Sequence, residues 1–141
     1  MLEAPGRRGR CRSSPGRKKD RVRLHAARRA VHRSLERDRP PARRALIGEI
    51  WSEDGRYIDP LAEVSGRDQI DAVIAAAQAQ FAGMTFWPAG AVDAHHDQAR
   101  FTWELGPDGA DAVVVGFDVA QRDADGRLAL VLGFLDRVPS P

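Results

Sequence analysis

Gly55-Arg56-Tyr57-Ile58-Asp59-Pro60-Leu61-Ala62-Glu63-Val64-Ser65-Gly66-Arg67-Asp68-Gln69-Ile70 joins a strand that carries an acid to the start of a helix. Arg56 to Leu61 reads as a short strand, with Tyr57, Asp59 and Leu61 on one face and Arg56 and Ile58 on the other. Pro60 has no N–H to give a ladder, so this position is expected at an edge, a bulge or a bend. Ser65 and Asp68 have the spacing of a capping box. The helix that follows repeats Ile70, Val73, Ile74, Ala77 and Phe81 on one face until Gly83, which predicts packing against a flat apolar surface.

Toward the N-terminus, Asp38 before Pro40-Pro41 predicts a helix from residue 38 to about Ser52, because proline costs nothing in a first turn. Leu46, Ile47, Ile50 and Trp51 form its apolar stripe, and Asp54-Gly55 reads as its end. Trp51 suits a core position and also a ligand-stacking one. After Gly83 the periodicity changes to two. Met84 to about His95 predicts a long strand interrupted at Pro88 to Gly90, and Gln98 to Leu105 alternates polar with apolar residues. Gly106-Pro107-Asp108-Gly109 signals a hairpin. Val113 to Gln121 sets Phe117 on one face and Asp118 on the other; after the turn at residues 123–126, Leu128 to Asp136 is apolar on both. A helix, a strand, a second helix and four meandering strands predict an α+β domain over residues 38–141, with helices covering one face of an antiparallel sheet. A last strand apolar on both sides needs a second cover, which predicts a homodimer through the other face.

Tyr57, Asp59 and Pro60, followed by the Ser65-Gly66-Arg67-Asp68-Gln69-Ile70 helix start, resemble the first strand and third helix of the SnoaL-like and ketosteroid-isomerase-like members of the nuclear transport factor 2-like superfamily. The resemblance implies a cone-shaped, curved antiparallel sheet with helices packed on its concave face, and dimerisation through the convex one. Residue by residue, it sets Asp59 where ketosteroid isomerases keep a general base, and Asp118 near their protonated, oxyanion-binding acid. An aspartate in an apolar cone has its pKa raised by desolvation, which suits either task. The chain departs from that family in one respect. The family's oxyanion tyrosine comes from the first helix, where this chain is Arg-rich, and its one tyrosine, Tyr57, lies on a strand.

Arg100, on an adjacent strand, is the expected partner of a buried Asp118, although its alternation with Trp103 lets only one of the two line the cone. An arginine with two acids also suits water activation of the kind limonene-epoxide-hydrolase-like relatives perform. Asp136 would be the second acid there; an ion pair with Arg137 or Arg100 is its plainer account. Trp51, Tyr57, Trp103, Phe117, Phe134 and Asp136 complete the expected pocket lining. The ligand expected is a small apolar molecule, met either by metal-free isomerase, cyclase or hydrolase chemistry or by a non-catalytic binding or dimerisation module.

Charge separates the chain into two parts. Residues 1–44 hold sixteen Lys/Arg against four Asp/Glu, and residues 45–141 hold six Arg against sixteen Asp/Glu. An acidic, lysine-free domain is a poor surface for nucleic acid. The segment 1–37 admits three readings: a disordered extension, peptide of the kind an upstream or out-of-frame start would give, or a basic arm. Cys11 has no second cysteine to pair with, and neither a membrane-length apolar run nor a secretory leader is present, so a cytoplasmic protein is expected. No cofactor or metal is expected. Adjacent strand residues such as His95 and His96 point to opposite faces, and the Asp123-Ala124-Asp125-Gly126 stretch has Phe134 where a calcium loop needs its closing acid.

Overall fold

The computed structural model describes residues 40–140. The readings of segment 1–37, and the expected helix cap at Asp38, lie outside the described residues. The elements run α1 (Pro40–Ile50), β1 (Trp51–Ile58), β2 (Glu63–Ser65), α2 (Arg67–Gln80), β3 (Met84–His95), β4 (Gln98–Pro107), β5 (Val114–Arg122) and β6 (Leu128–Arg137). The six strands form one open, curved sheet in the order β2-β1-β6-β5-β4-β3. β3 to β6 form the expected antiparallel meander. β1 pairs parallel to β6, which makes the sheet mixed at that one join, and its other edge carries β2. Both helices lie on one face, as the α+β pattern predicts.

Three local readings are corrected. Helix α1 stops at Ile50 and Trp51 opens β1, so the first strand begins five residues before the expected Arg56 and ends at Ile58. Gly55 ends no helix: it sits in a bulge between Trp51 and Arg56, where a Cβ would stand 2.8 Å from the Trp51 ring. Only a glycine lets the indole fold back across its own strand there. The predicted capping box does not form either. Ser65 belongs to β2, Gly66 holds the N-cap at φ 86°, and it is the Gln69 side chain that reaches back to accept from Ser65 N–H at 2.9 Å. Short β2 escaped the sequence reading because three residues carry no usable period.

The core joins both helices to the sheet through Ile47, Trp51, Ile70, Ile74, Phe101, Ala120, Leu128 and Val131, with Tyr57 and Trp103 packed against it. This defines the inner, helix-covered face. Buried Arg43 of α1 donates to Asp71 of α2 at 2.6 Å and to Gln78 at 3.0 Å, and Arg44 reaches the other Asp71 oxygen at 3.3 Å. Arg43 holds the Asp71 carboxyl below the usual carboxylate range, against the opposing effect of burial. The interruption expected in β3 is present as a register shift between Ala89 and Asp93, with Gly90 at φ 69°. No helix among the described residues is long and apolar enough to cross a membrane.

Candidate active site

On the inner face, beside the apolar core, the sheet carries a small polar cluster. Strand register decides its members. In β5, Val114, Gly116, Asp118 and Ala120 are buried and face inward, with Asp118 opposite Phe101 of β4 and Gly133 of β6. Asp118 is 4% exposed. Trp103 of β4 stands opposite Gly116, two residues before Asp118 on the same face.

Asp59 arrives from the other direction. β1 ends at Ile58, and a tight turn over Pro60 follows, closed by Asp59 N–H to Ala62 C=O at 2.9 Å. One carboxylate oxygen of Asp59 accepts the Leu61 and Ala62 N–H groups, each at 2.8 Å; the other accepts the Tyr57 hydroxyl at 2.7 Å. The acid therefore stabilises its own turn, as an Asx residue does, and also faces the cluster. Gly133 is the point of contact. A Cβ on it would stand 3.0 Å from Asp118 Oδ1 and 3.1 Å from Asp59 Cβ.

Electrostatics follow from this packing. Burial, opposed by the neighbouring Trp103 side chain and helped by the charge of Asp59, pushes Asp118 up to about 7. It is then poised to give or take a proton near neutrality. Tyr57 is raised above its ordinary value by burial first, then by its bond to Asp59 and the charges of Asp59 and Asp118, so it stays a neutral phenol. Two acids held in different environments, beside a phenol and an indole, make a group able to move a proton on a bound ligand without a metal.

Two glycines were not singled out in the sequence. A Cβ on Gly116 would lie 2.0 Å from a Trp103 ring atom, so the indole lies flat on that glycine. With Gly133, it is an inward-facing glycine in a strand interior, which marks a close approach by a neighbouring group.

Other predicted site residues fall elsewhere. Arg100 stands opposite Val119 and points outward, where it pairs with Asp93 at 3.0 Å with most of its side chain in solvent. It is not the partner of Asp118; alternation had allowed only one of Arg100 and Trp103 to face inward, and Trp103 is that one. Phe117 and Phe134 stand opposite each other on the outer face, ring centroids 6.5 Å apart, and Phe134 is 56% exposed. Asp136 is exposed in the bulge where β6 passes from Leu135 to Arg137. Arg137 donates instead to the Ala112 carbonyl. Trp51 is 2% exposed inside the core, and its indole N–H has no partner among the described residues. His95 and His96 occupy the end of β3 and the turn that follows, His96 at φ 51°, with their Nδ1 atoms 3.0 Å apart. Among the described residues no group of three or more His, Cys, Asp or Glu is arranged to hold a metal ion.

Comparison with known proteins gives this arrangement a family. The SnoaL-like domain matches residues 27–131. A candidate isomerase of the SnoaL-like family from Agrobacterium tumefaciens is 35% identical, with 82% of this chain and 98% of that one aligned at a TM-score of 0.78. A candidate SnoaL-like polyketide cyclase from Jannaschia sp. is 16% identical over 82% of this chain and 86% of its own, at a TM-score of 0.65. An LEH-like epoxide hydrolase from M. tuberculosis is 17% identical over 82% and 84%, at 0.57. These last two share the fold. A search of curated protein sequences finds no match. With three quarters of its length matched and a close structural relative at 35% identity, the chain belongs to the SnoaL-like domain family.

Proposed function

We propose that the inner face binds a small, largely apolar molecule and that Asp118 is the group that exchanges a proton with it, in metal-free isomerase, cyclase or hydrolase chemistry. The observation that carries this reading is a carboxyl 4% exposed, raised to about 7, on the same face as Tyr57 and Trp103. Asp59 serves beside it as a fixed acceptor that orients Tyr57, since both its oxygens are already engaged. The relatives named as an isomerase, a cyclase and an epoxide hydrolase agree with proton-transfer chemistry without choosing among the three.

The test is a thermal-shift screen of the full chain with apolar ketones, phenols and epoxides, run beside Asp118→Asn. Stabilisation by one chemical class, with turnover lost in Asp118→Asn while binding persists, is the expected result. Binding and turnover both unchanged in that variant would overturn the proposal. A second reading, a non-catalytic binding module, draws on the Asp59 hydrogen bonds, which give that acid a structural task. It predicts binding without turnover in the wild type.

A further inference from the structure

Tyr57 has one proton to give, and its hydroxyl donates it to Asp59 Oδ2 at 2.7 Å. The other carboxylate oxygen, Oδ1, takes the Leu61 and Ala62 N–H groups at 2.8 Å each, and Asp59 N–H closes the same turn on the Ala62 carbonyl at 2.9 Å. The acceptor of the phenol is therefore tied to backbone. The ring is held as well, since Tyr57 stands opposite fully buried Val131 of β6 and packs against the core. A phenol carries one donor and acceptor lone pairs. With the donor committed to Asp59, Tyr57 has only lone pairs left for a ligand. Ionisation does not change this, because burial and the bond to Asp59 raise the phenol above its ordinary value. Asp118 meets the same Asp59 across Gly133, so a ligand group bound at Asp118 comes beside the phenol oxygen.

We propose that Tyr57 selects the ligand by acting as a hydrogen-bond acceptor only, so that the site takes apolar molecules carrying a hydroxyl, phenols and alcohols, over ethers and ketones of the same shape. The inference rests on the apolar-ligand binding proposed for the inner face, and adds the polar group that ligand must carry. A ketone brings only lone pairs to Tyr57 and leaves two acceptors face to face. A hydroxyl supplies the missing proton. The discrimination is favourable because leaving a polar group unpaired away from water costs more than a well-made bond contributes. Asparagine at position 59 inverts the arrangement. Its amide oxygen can accept the two turn N–H groups while its NH2 donates to Tyr57, which frees the phenol proton for a ligand acceptor.

The experiment measures the affinity of the full chain for a naphthol, its methyl ether and the methyl ketone of the same ring. It is run at pH 8, above the value of about 7 at which Asp118 gives up its own proton. The wild type is expected to favour the naphthol over the other two. Tyr57→Phe should shrink the margin of naphthol over ether by roughly three- to tenfold, the worth of one neutral hydrogen bond. Asp59→Asn should move the ranking toward the ketone by a similar factor. A wild type that prefers the ketone overturns the inference, as does a margin unchanged in folded Tyr57→Phe, which would assign the preference to Asp118 alone. If Tyr57→Phe does not fold, Asp59→Asn decides, and a wild-type ranking there overturns the inference equally. Failure of the underlying reading looks different: none of the three probes would bind the wild type at all.

Discussion

Asp118 and Asp59, which stand 59 residues apart in the chain, meet over the backbone of Gly133, one through its Oδ1 and the other through its Cβ. No side chain fits between them and the β6 strand. Gly133→Ala forces an atom to within about 3 Å of both groups, and the neighbours on either side are buried or tied to backbone N–H groups. Overpacking of this kind costs on the order of 1–3 kcal/mol. Chemical denaturation should show that loss in Gly133→Ala, together with a moved Asp118 titration. Unchanged stability would mean that the acids have room to retreat.

The raised Asp118 makes a prediction about pH. Its folded value is about 7 against an ordinary 3.8, so between those pH values the folded protein holds a proton that the unfolded chain has released. Stability from this group is therefore greatest at the acid end and falls as pH rises through the interval, flattening above about 7. Asp118→Asn removes the group from titration. The variant should gain on the wild type from pH 5 to pH 8 by roughly 2–3 kcal/mol, since about two pH units of that interval lie below the folded value. A stability difference between the two proteins that is constant across that range would show that Asp118 titrates normally.

Asp71 works in the opposite direction. Arg43 and Arg44 hold its carboxyl low, so its contribution is present above the ordinary aspartate value and is lost as pH falls through the lowered one. Removing one member of a buried pair leaves the other charge unmatched, at a cost of about 3–5 kcal/mol. Asp71→Ala should therefore unfold at a much lower urea concentration, while Arg43→Met with Asp71→Leu recovers most of the loss. A double variant as unstable as Asp71→Ala would mean that the ion pair itself, rather than the unmatched charge, is what α1 and α2 need.

Much of this was legible in the sequence, and the physical reason is periodicity. The two-residue alternation of Gln98 to Leu105 and of Val113 to Gln121 is strong enough to assign strands and faces, and it placed Trp103 and Arg100 on opposite sides. It could not say which side was inner, because Phe117 and Val119 are as apolar as Val114 and Ala120; the helices decide, and Asp118 rather than Phe117 faces them. Phe117 and Phe134 were assigned to the pocket for that reason. Trp51 to Gly55 was misread as a helix end because a glycine that admits an indole looks the same as one that stops a helix. The parallel join of β1 to β6 links segments more than seventy residues apart, and local pattern carries no information about it. Asp59 and Asp118 could be named from resemblance, whereas their meeting at Gly133 required coordinates.

The outer face supplies the last prediction. Phe117 and Phe134 stand as neighbours across β5 and β6, and Leu132 stands opposite Val119 beside them, all on the side away from α1 and α2. Phe134 is 56% exposed, an unusual position for a large ring in the middle of a sheet. A second copy placed about a two-fold axis would bury this patch against itself, because an isologous contact needs only one self-complementary surface. Light scattering of the full chain should give twice the mass of 15.5 kDa, and Phe134→Glu should shift it to the monomer while leaving the Asp118 titration in place. A wild type that is monomeric at tens of micromolar would remove the dimer. A Phe134→Glu protein that remains dimeric would move the interface away from this face, and the exposed ring would then need another partner.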